Sequence, residues 1–85
     1  MKMITTSRYA SKKTREFARK AGTFYVSRGK KTIDDIAEYA RRKGESEVVI
    51  VEEKNGVPEY LSVIEVSETG KWRWGKRTKV NEYEG

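Results

Sequence analysis

A run of four apolar residues, Val48-Val49-Ile50-Val51, constrains the fold of this 85-residue chain more than any other feature. A strand with one face in solvent alternates apolar with polar residues, whereas a continuous apolar run is typical of a strand buried on both faces. Such a strand needs helices packed against each side of its sheet. The run therefore predicts the central strand of an α/β layer fold.

Local patterns before this run predict two strand-helix pairs. Residues 3–6 are rich in β-branched side chains, and a helix is expected to start near Ser11 and to end with Gly22 as its C-cap. Residues 23–27 alternate like a short strand, and Thr32 with Asp35 forms a capping-box pattern at the start of a second helix. The buried stripes predicted for the two helices are Ala10, Thr14, Phe17, Ala18 and Ala21 in the first, and Ile33, Ile36, Ala37 and Ala40 in the second.

After the run, Asn55-Gly56 predicts a tight hairpin turn, residues 60–66 the returning strand, and Trp72-Arg73-Trp74 a further strand. The predicted fold class is α/β, in the order β-α-β-α-β-β(-β), with a mixed sheet, two helices and three parallel strands at the start. We expect one domain over residues 1–75, and a flexible C-terminal tail over residues 76–85.

The composition argues against most catalytic chemistry. The chain contains no Cys and no His, which removes thiolate nucleophiles, imidazole bases and the usual zinc ligands. We therefore predict a protein that is not an enzyme and that has no cofactor and no metal. No apolar stretch approaches the roughly 18 residues of a membrane span, which predicts a cytoplasmic protein with no membrane partner. The absence of Gln and the abundance of Lys, Arg and Glu indicate a thermophilic, archaeal source.

The net charge of +6 is distributed unevenly along the chain. Residues 1–31 carry ten basic side chains and one carboxylate, Glu16, whereas residues 32–68 carry four basic and ten acidic side chains. In one interpretation, the two segments neutralise each other in surface ion pairs. In the other, the basic segment binds a polyanion, because one acid cannot neutralise ten bases locally. Nucleic acid is then the leading partner, although charge alone does not distinguish RNA from DNA.

Three segments, in order along residues 3–66, carry a resemblance to a known family. They are Ile4-Thr5-Thr6-Ser7-Arg8 with Ser11, Thr14-Arg15 and Phe17-Ala18; Arg28-Gly29-Lys30; and the Val-rich strand leading into Asn55-Gly56-Val57-Pro58. Together they resemble the N-terminal half of the Brix domain in archaeal single-domain proteins. The chain departs from the family pattern at Ala10, where Pro is usual, in its short first helix, and in lacking the second half.

The resemblance implies a fold, a function and partners. Brix proteins act in ribosome biogenesis through ribosomal RNA, and their halves resemble the anticodon-binding domain of class IIa aminoacyl-tRNA synthetases. The chain is accordingly expected to be an anticodon-binding-domain-like, non-catalytic RNA-binding protein. Because a full Brix domain packs two similar halves together, the resemblance implies that the chain is a half-length relative, a fragment, or one subunit of a homodimer. The second half is then lost, truncated or supplied by another chain.

The predicted RNA-binding residues fall into two clusters that follow the first and second strands. Parallel strands bring their carboxyl ends to one edge of a sheet, so the clusters are expected to meet there. They comprise Arg8, Lys12, Lys13, Arg15 and Arg19 in the first cluster, and Arg28, Gly29, Lys30 and Lys31 in the second. The hydroxyls of Thr5, Thr6 and Ser7 either help to hold a phosphate or simply belong to the helix cap.

Trp72 and Trp74 share one face of the last predicted strand, and two roles remain open for them. They either stack on RNA bases or complete the core or a dimer interface. An interface role would fit an alternative to RNA binding. In that alternative, the chain is a protein-interaction module that homodimerises or docks a partner through its hairpin edge and these two residues.

Overall fold

The computed structural model describes residues 2–22 and 24–82. Its elements are β1 (Met3–Thr6), α1 (Lys12–Ala21), β2 (Phe24–Tyr25), α2 (Ile33–Arg42), β3 (Glu47–Lys54), β4 (Val57–Val66), β5 (Trp72–Lys79) and a 3-10 turn (Val80–Glu82). The strands form one sheet in the order β2-β1-β3-β4-β5. β1 is parallel to both β2 and β3, whereas β4 is antiparallel to β3 and β5. The predicted mixed α/β sheet, with the 48–51 run in its central strand, is confirmed.

The two helices pack on opposite faces of the sheet, because β1 and β3 are apolar on both faces. On one face, α2 covers a core that includes Met3, Val48, Ile50, Ile64 and Val66. On the other face, α1 covers Ile4, Val49, Val51 and Leu61. One helix, about 10 Å wide, covers about two strands at a spacing of about 4.8 Å, so each face of the five-stranded sheet stays partly open.

Both helices begin at the predicted capping residues. The Ser11 hydroxyl accepts a hydrogen bond from the Thr14 backbone N–H at 3.4 Å. Thr32 and Asp35 form the predicted capping box, with reciprocal bonds of 3.0 and 3.1 Å. Gly22 ends α1 in an extended conformation. It has to be glycine because a Cβ there would overlap the side chain of Ile4.

The edge strand β2 is shorter than the predicted strand over residues 23–27. Thr23 lies outside the described residues, and the ladder to β1 contains only Phe24 and Tyr25. Val26 still donates its backbone N–H to Ile4 O at 2.9 Å, but its carbonyl accepts from the Thr5 hydroxyl at 2.6 Å. This side-chain bond replaces the next rung of the ladder and ends the strand.

The last strands follow the predicted hairpin but extend further than predicted. Asn55 and Gly56 have φ values of 54° and 78°, as a two-residue turn with two left-handed positions requires. The predicted start of a tail at residue 76 is wrong, because β5 continues to Lys79 and the 3-10 turn follows it. Gly75 does not end the strand, since a bulge absorbs it while pairing with β4 resumes at Arg77. Residues 83–85 of the predicted tail lie outside the described residues. None of the helices in the described ranges is long and apolar enough to cross a membrane.

Candidate nucleic-acid interface

The two predicted basic clusters meet at the carboxyl end of β1. The guanidinium of Arg28, in the loop between β2 and α2, donates from Nη1 to the carbonyl of Thr6, the last residue of β1, at 2.8 Å. Burial lowers the pKa of Arg28, and the nearby charge of Arg8 lowers it further. The β2–α2 loop and the segment before α1 therefore lie side by side.

Arg28, one of the predicted RNA-binding residues, is buried, with 5% of its surface exposed, so its side chain lacks the exposure that a phosphate contact requires. Besides the bond to Thr6, its Nε donates to the carbonyl of Lys31 at 2.6 Å. One planar guanidinium thus joins the end of β1 to the far side of the β2–α2 loop. Arg28 holds the two clusters together rather than presenting its charge to solvent.

The loop residues after Arg28 remain on the surface. Gly29 is exposed with φ of 52°, a left-handed conformation that favours glycine, and a Cβ there would meet no atom within 4 Å. Lys30 is exposed, and the exposed Lys31 donates from Nζ to the Ser27 carbonyl at 3.0 Å. The space beside the Gly29 backbone is therefore open, and the ammonium groups of Lys30 and Lys31 belong to the same turn.

The cations of α1 are exposed, and one flank of the helix lies toward the edge strand β2. Arg15 and Arg19 are one helical turn apart, and the Arg19 guanidinium lies 5.3 Å from the centre of the Tyr25 ring in β2. Lys12 and Lys13, in the first turn of α1, are exposed as well. We define the edge-strand basic surface as the exposed residues Arg8, Arg15, Arg19, Lys30 and Lys31.

The acidic segment does not neutralise this surface. Among the described residues, no member of the edge-strand basic surface has a carboxylate oxygen within 4.0 Å. Lys12 pairs with Glu16 at 3.9 Å. Within residues 2–22 and 24–82, one ion pair, Lys2 with Glu47 at 3.7 Å, links the basic and acidic segments. In the ranges that the structure describes, Glu38 pairs instead with cations of α2, and Glu52 and Glu65 pair with cations of β5. The interpretation based on mutual neutralisation therefore does not hold for these five cations.

The start of α1 is occupied by a carboxylate of the chain itself. Glu53, near the end of β3, accepts from the backbone N–H of Ser11 at 2.8 Å. Hydrogen bonding from Thr14 and then from Ser11 lowers the pKa of the Glu53 carboxyl. The buried hydroxyls of Thr5 and Thr6 donate to backbone carbonyls at 2.6 and 3.0 Å. These two hydroxyls therefore show neither of the two roles left open for them, because both are engaged with carbonyls outside α1. The cap of α1 is Ser11 instead.

The two tryptophans differ in their surroundings. Trp72 is half-buried against the α2 core, and its indole N–H donates to Asp34 at 2.6 Å. Trp74 is 53% exposed and meets Trp72 in an edge-to-face contact, with ring centres 5.6 Å apart. Trp72 thus completes the core, whereas Trp74 presents an aromatic surface to solvent. Within residues 2–22 and 24–82, no cluster of three or more carboxylates is placed to hold a metal ion.

Two solved structures are similar to this chain over most of its length. A probable ribosomal biogenesis protein from Aeropyrum pernix matches 93% of the chain with a TM-score of 0.85 and 26% identity. Mil, an archaeal Imp4-like protein, matches 84% with a TM-score of 0.68 and 32% identity. The predicted resemblance to archaeal Brix-domain proteins is confirmed.

The chain spans about half the length of the Brix-like structures that it matches, 47% of the Aeropyrum pernix protein and 46% of Mil. No family model and no curated protein sequence matches the chain. The similarity to Brix-domain proteins therefore rests on the arrangement of strands and helices together with 26% and 32% identity to these two structures.

Proposed function

We propose that this chain is a non-catalytic RNA-binding protein that acts on ribosomal RNA during ribosome biogenesis. The observation that carries the proposal is the edge-strand basic surface, whose five cations are exposed and have no carboxylate partner among the described residues. Unpaired cations on one surface attract a polyanion and release its counterions on binding. The similarity to a probable ribosomal biogenesis protein supports the choice of ribosomal RNA.

The proposed mechanism is electrostatic positioning without a chemical step. Arg8, Lys30 and Lys31 would contact phosphates at the end of β1, and Arg15 and Arg19 would extend the contact along α1. The open space at Gly29 admits a phosphate close to the backbone. Contacts of this kind fix the position of RNA on the protein but do not read its sequence.

The salt dependence of binding tests this proposal. If all five cations contact phosphates, the logarithm of the association constant should fall with the logarithm of salt concentration with a slope of about −3.5 to −4.5. Fluorescence anisotropy with a ribosomal RNA hairpin, between about 50 and 300 mM salt, measures this slope. A slope near zero would contradict the proposal. Duplex DNA of the same length as competitor shows whether RNA is preferred at a fixed salt concentration.

A second candidate function is protein interaction, as a homodimer or with a chain that supplies the other half of a Brix domain. One observation favours it: Trp74 is 53% exposed on the edge strand β5, where an aromatic ring can contact a partner. Light scattering after gel filtration measures the mass in solution over a range of concentrations. A monomer at every concentration would remove the homodimer from consideration.

A further inference from the structure

A cavity of about 350 Å³ lies on the α2 face of the sheet, beyond the part that α2 covers. Its lining comes from the last three strands and consists of Glu52, Ser62, Trp74, Gly75 and Arg77. None of these residues belongs to the edge-strand basic surface. The cavity combines an aromatic ring, a carboxylate and a guanidinium, a set of groups suited to a flat ligand with polar edges.

The bulge in β5 places the aromatic and basic groups on the same face. Trp74 pairs with Ile64 and Arg77 pairs with Ser62, so two residues, Gly75 and Lys76, lie opposite Val63 alone. In a regular strand, residues three positions apart point to opposite faces. The extra residue restores Arg77 to the side of Trp74 and brings both into the cavity.

The polar groups of the cavity are held in place by their neighbours. The Ser62 hydroxyl donates to Glu52 Oε2, and Arg77 Nε lies 3.4 Å from the same oxygen. The Arg77 guanidinium carbon lies 3.8 Å from the centre of the Tyr60 ring, in a cation–π contact. Among the described residues, Glu52 Oε1 and the terminal nitrogens of Arg77 take part in no further side-chain hydrogen bond.

Trp74 is positioned as a stacking platform. Its neighbour Trp72 is anchored by Asp34 and touches it edge to face, with an interplanar angle of 87°. This contact fixes the ring of Trp74 from one side, while about half of the residue stays open to solvent. An exposed aromatic ring held by its neighbours is the kind of surface on which unpaired RNA bases stack.

We propose that this cavity binds one unpaired guanine of an RNA strand. The N1–H and exocyclic amine of guanine are adjacent donors that would face the Glu52 carboxylate, and the neighbouring O6 would accept from Arg77, while the base stacks on Trp74. Adenine and cytosine would place an acceptor nitrogen against the carboxylate, and uracil would place two carbonyl oxygens around a single donor. The inference deepens the proposed RNA-binding function and rests on it.

The location of the cavity suits a single RNA molecule that contacts both surfaces. Glu52 directly follows Val51, which pairs with Thr6 at the end of β1, where the basic clusters meet. Four strand spacings separate β2 from β5, which amounts to about 19 Å. Because α1 packs on the opposite face from the cavity, this short distance applies to RNA bound by the cations at the carboxyl ends of β1 and β2, which are Arg8, Lys30 and Lys31.

The test compares short single-stranded RNAs that differ at one base. Oligouridine carrying one central guanine should bind the whole chain about 10-fold more tightly than oligouridine alone, and inosine, which lacks the exocyclic amine, should fall between them. Trp74→Ala and Glu52→Gln should each abolish the preference for guanine. Glu65→Gln is the matched control, because Glu65 in β4 also pairs with an arginine of β5, Arg73 at 2.6 Å, but does not line the cavity. It should leave the preference unchanged.

The outcomes separate this inference from the proposed function. Titration with GMP, followed through the indole N–H signal of Trp74, should shift that signal in the natural sequence but not in Glu52→Gln. If the ribosomal RNA hairpin binds with the expected salt slope but guanine, inosine and uracil bind equally, the guanine pocket is wrong and the basic surface stands. If GMP shifts the signal but no RNA binds, the proposed function is wrong. Trp74→Phe keeps an aromatic ring and should retain part of the preference if Trp74→Ala proves poorly folded.

Discussion

Replacing Arg8, Arg19 and Lys30 together with alanine is expected to lower the affinity for RNA about 100-fold at 0.1 M salt. Each of these residues is exposed and has no carboxylate partner among the described residues, so each would give up a separate phosphate contact. The salt slope should become shallower by about 2 to 3 for the same reason. Anisotropy titrations with the ribosomal RNA hairpin at several salt concentrations measure both quantities.

The control for this variant removes the same charge from the opposite end of the sheet. Arg42 and Lys43 lie at the end of α2, and Lys71 lies in the turn before β5. Replacing these three with alanine should leave the salt slope within about 1 of the natural value. If both triple variants lose the same affinity, overall net charge rather than the edge-strand basic surface accounts for binding. Thermal unfolding of both variants tests whether loss of the Arg19–Tyr25 contact, or of the cations at the end of α2, also lowers the melting temperature.

The second large effect is expected at Arg28, where alanine should lower the free energy of unfolding by about 2 to 4 kcal/mol. The substitution removes the donors that serve the carbonyls of Thr6 and Lys31, at 2.8 and 2.6 Å, in a buried position. Arg28→Lys should restore little of this loss, since one ammonium does not reproduce the planar pair of donors. Urea unfolding followed by circular dichroism measures the change.

Lys31→Ala is the matched control for Arg28. Its ammonium makes one exposed hydrogen bond, to Ser27, so its removal should change the free energy of unfolding by no more than about 0.5 kcal/mol. The two variants should therefore separate stability from binding, with Arg28→Ala affecting mainly stability and Lys31→Ala mainly RNA affinity. An Arg28→Ala protein of normal stability with weakened RNA binding would instead make Arg28 a direct phosphate contact.

Features governed by local signals were predictable from the sequence. The 48–51 run, the Thr32–Asp35 capping box and the Asn55-Gly56 turn each depend on neighbouring residues, and each occurs in the structure as predicted. The parallel arrangement of the first three strands then followed from the helix between each pair of them. This arrangement was enough to bring the two basic clusters to the same edge of the sheet.

Features governed by distant contacts were not predictable. In the sequence, nothing separates Arg28 from the basic residues that follow it. Its burial depends on a hydrogen bond to the carbonyl of Thr6, which is 22 positions away. A glycine after Trp74 predicts the end of the strand. In the structure, the register between β4 and β5 instead makes Gly75 part of a bulge. The cavity around Glu52 and Ser62 escaped prediction for the same reason, because strand register decides which residues of three strands share a face.

The Glu53 carboxylate at the start of α1 has a consequence for how selective the protein is. A helix start that is open to solvent would hold one phosphate in a fixed direction, through rigid backbone groups. Here the Glu53 carboxylate occupies that position. In the proposed complex, RNA is therefore bound by long, rotatable side chains, which can adjust to many shapes of the RNA backbone. Tolerance toward RNA shape and discrimination between bases would then lie in different parts of one small sheet, and each can change in evolution without the other.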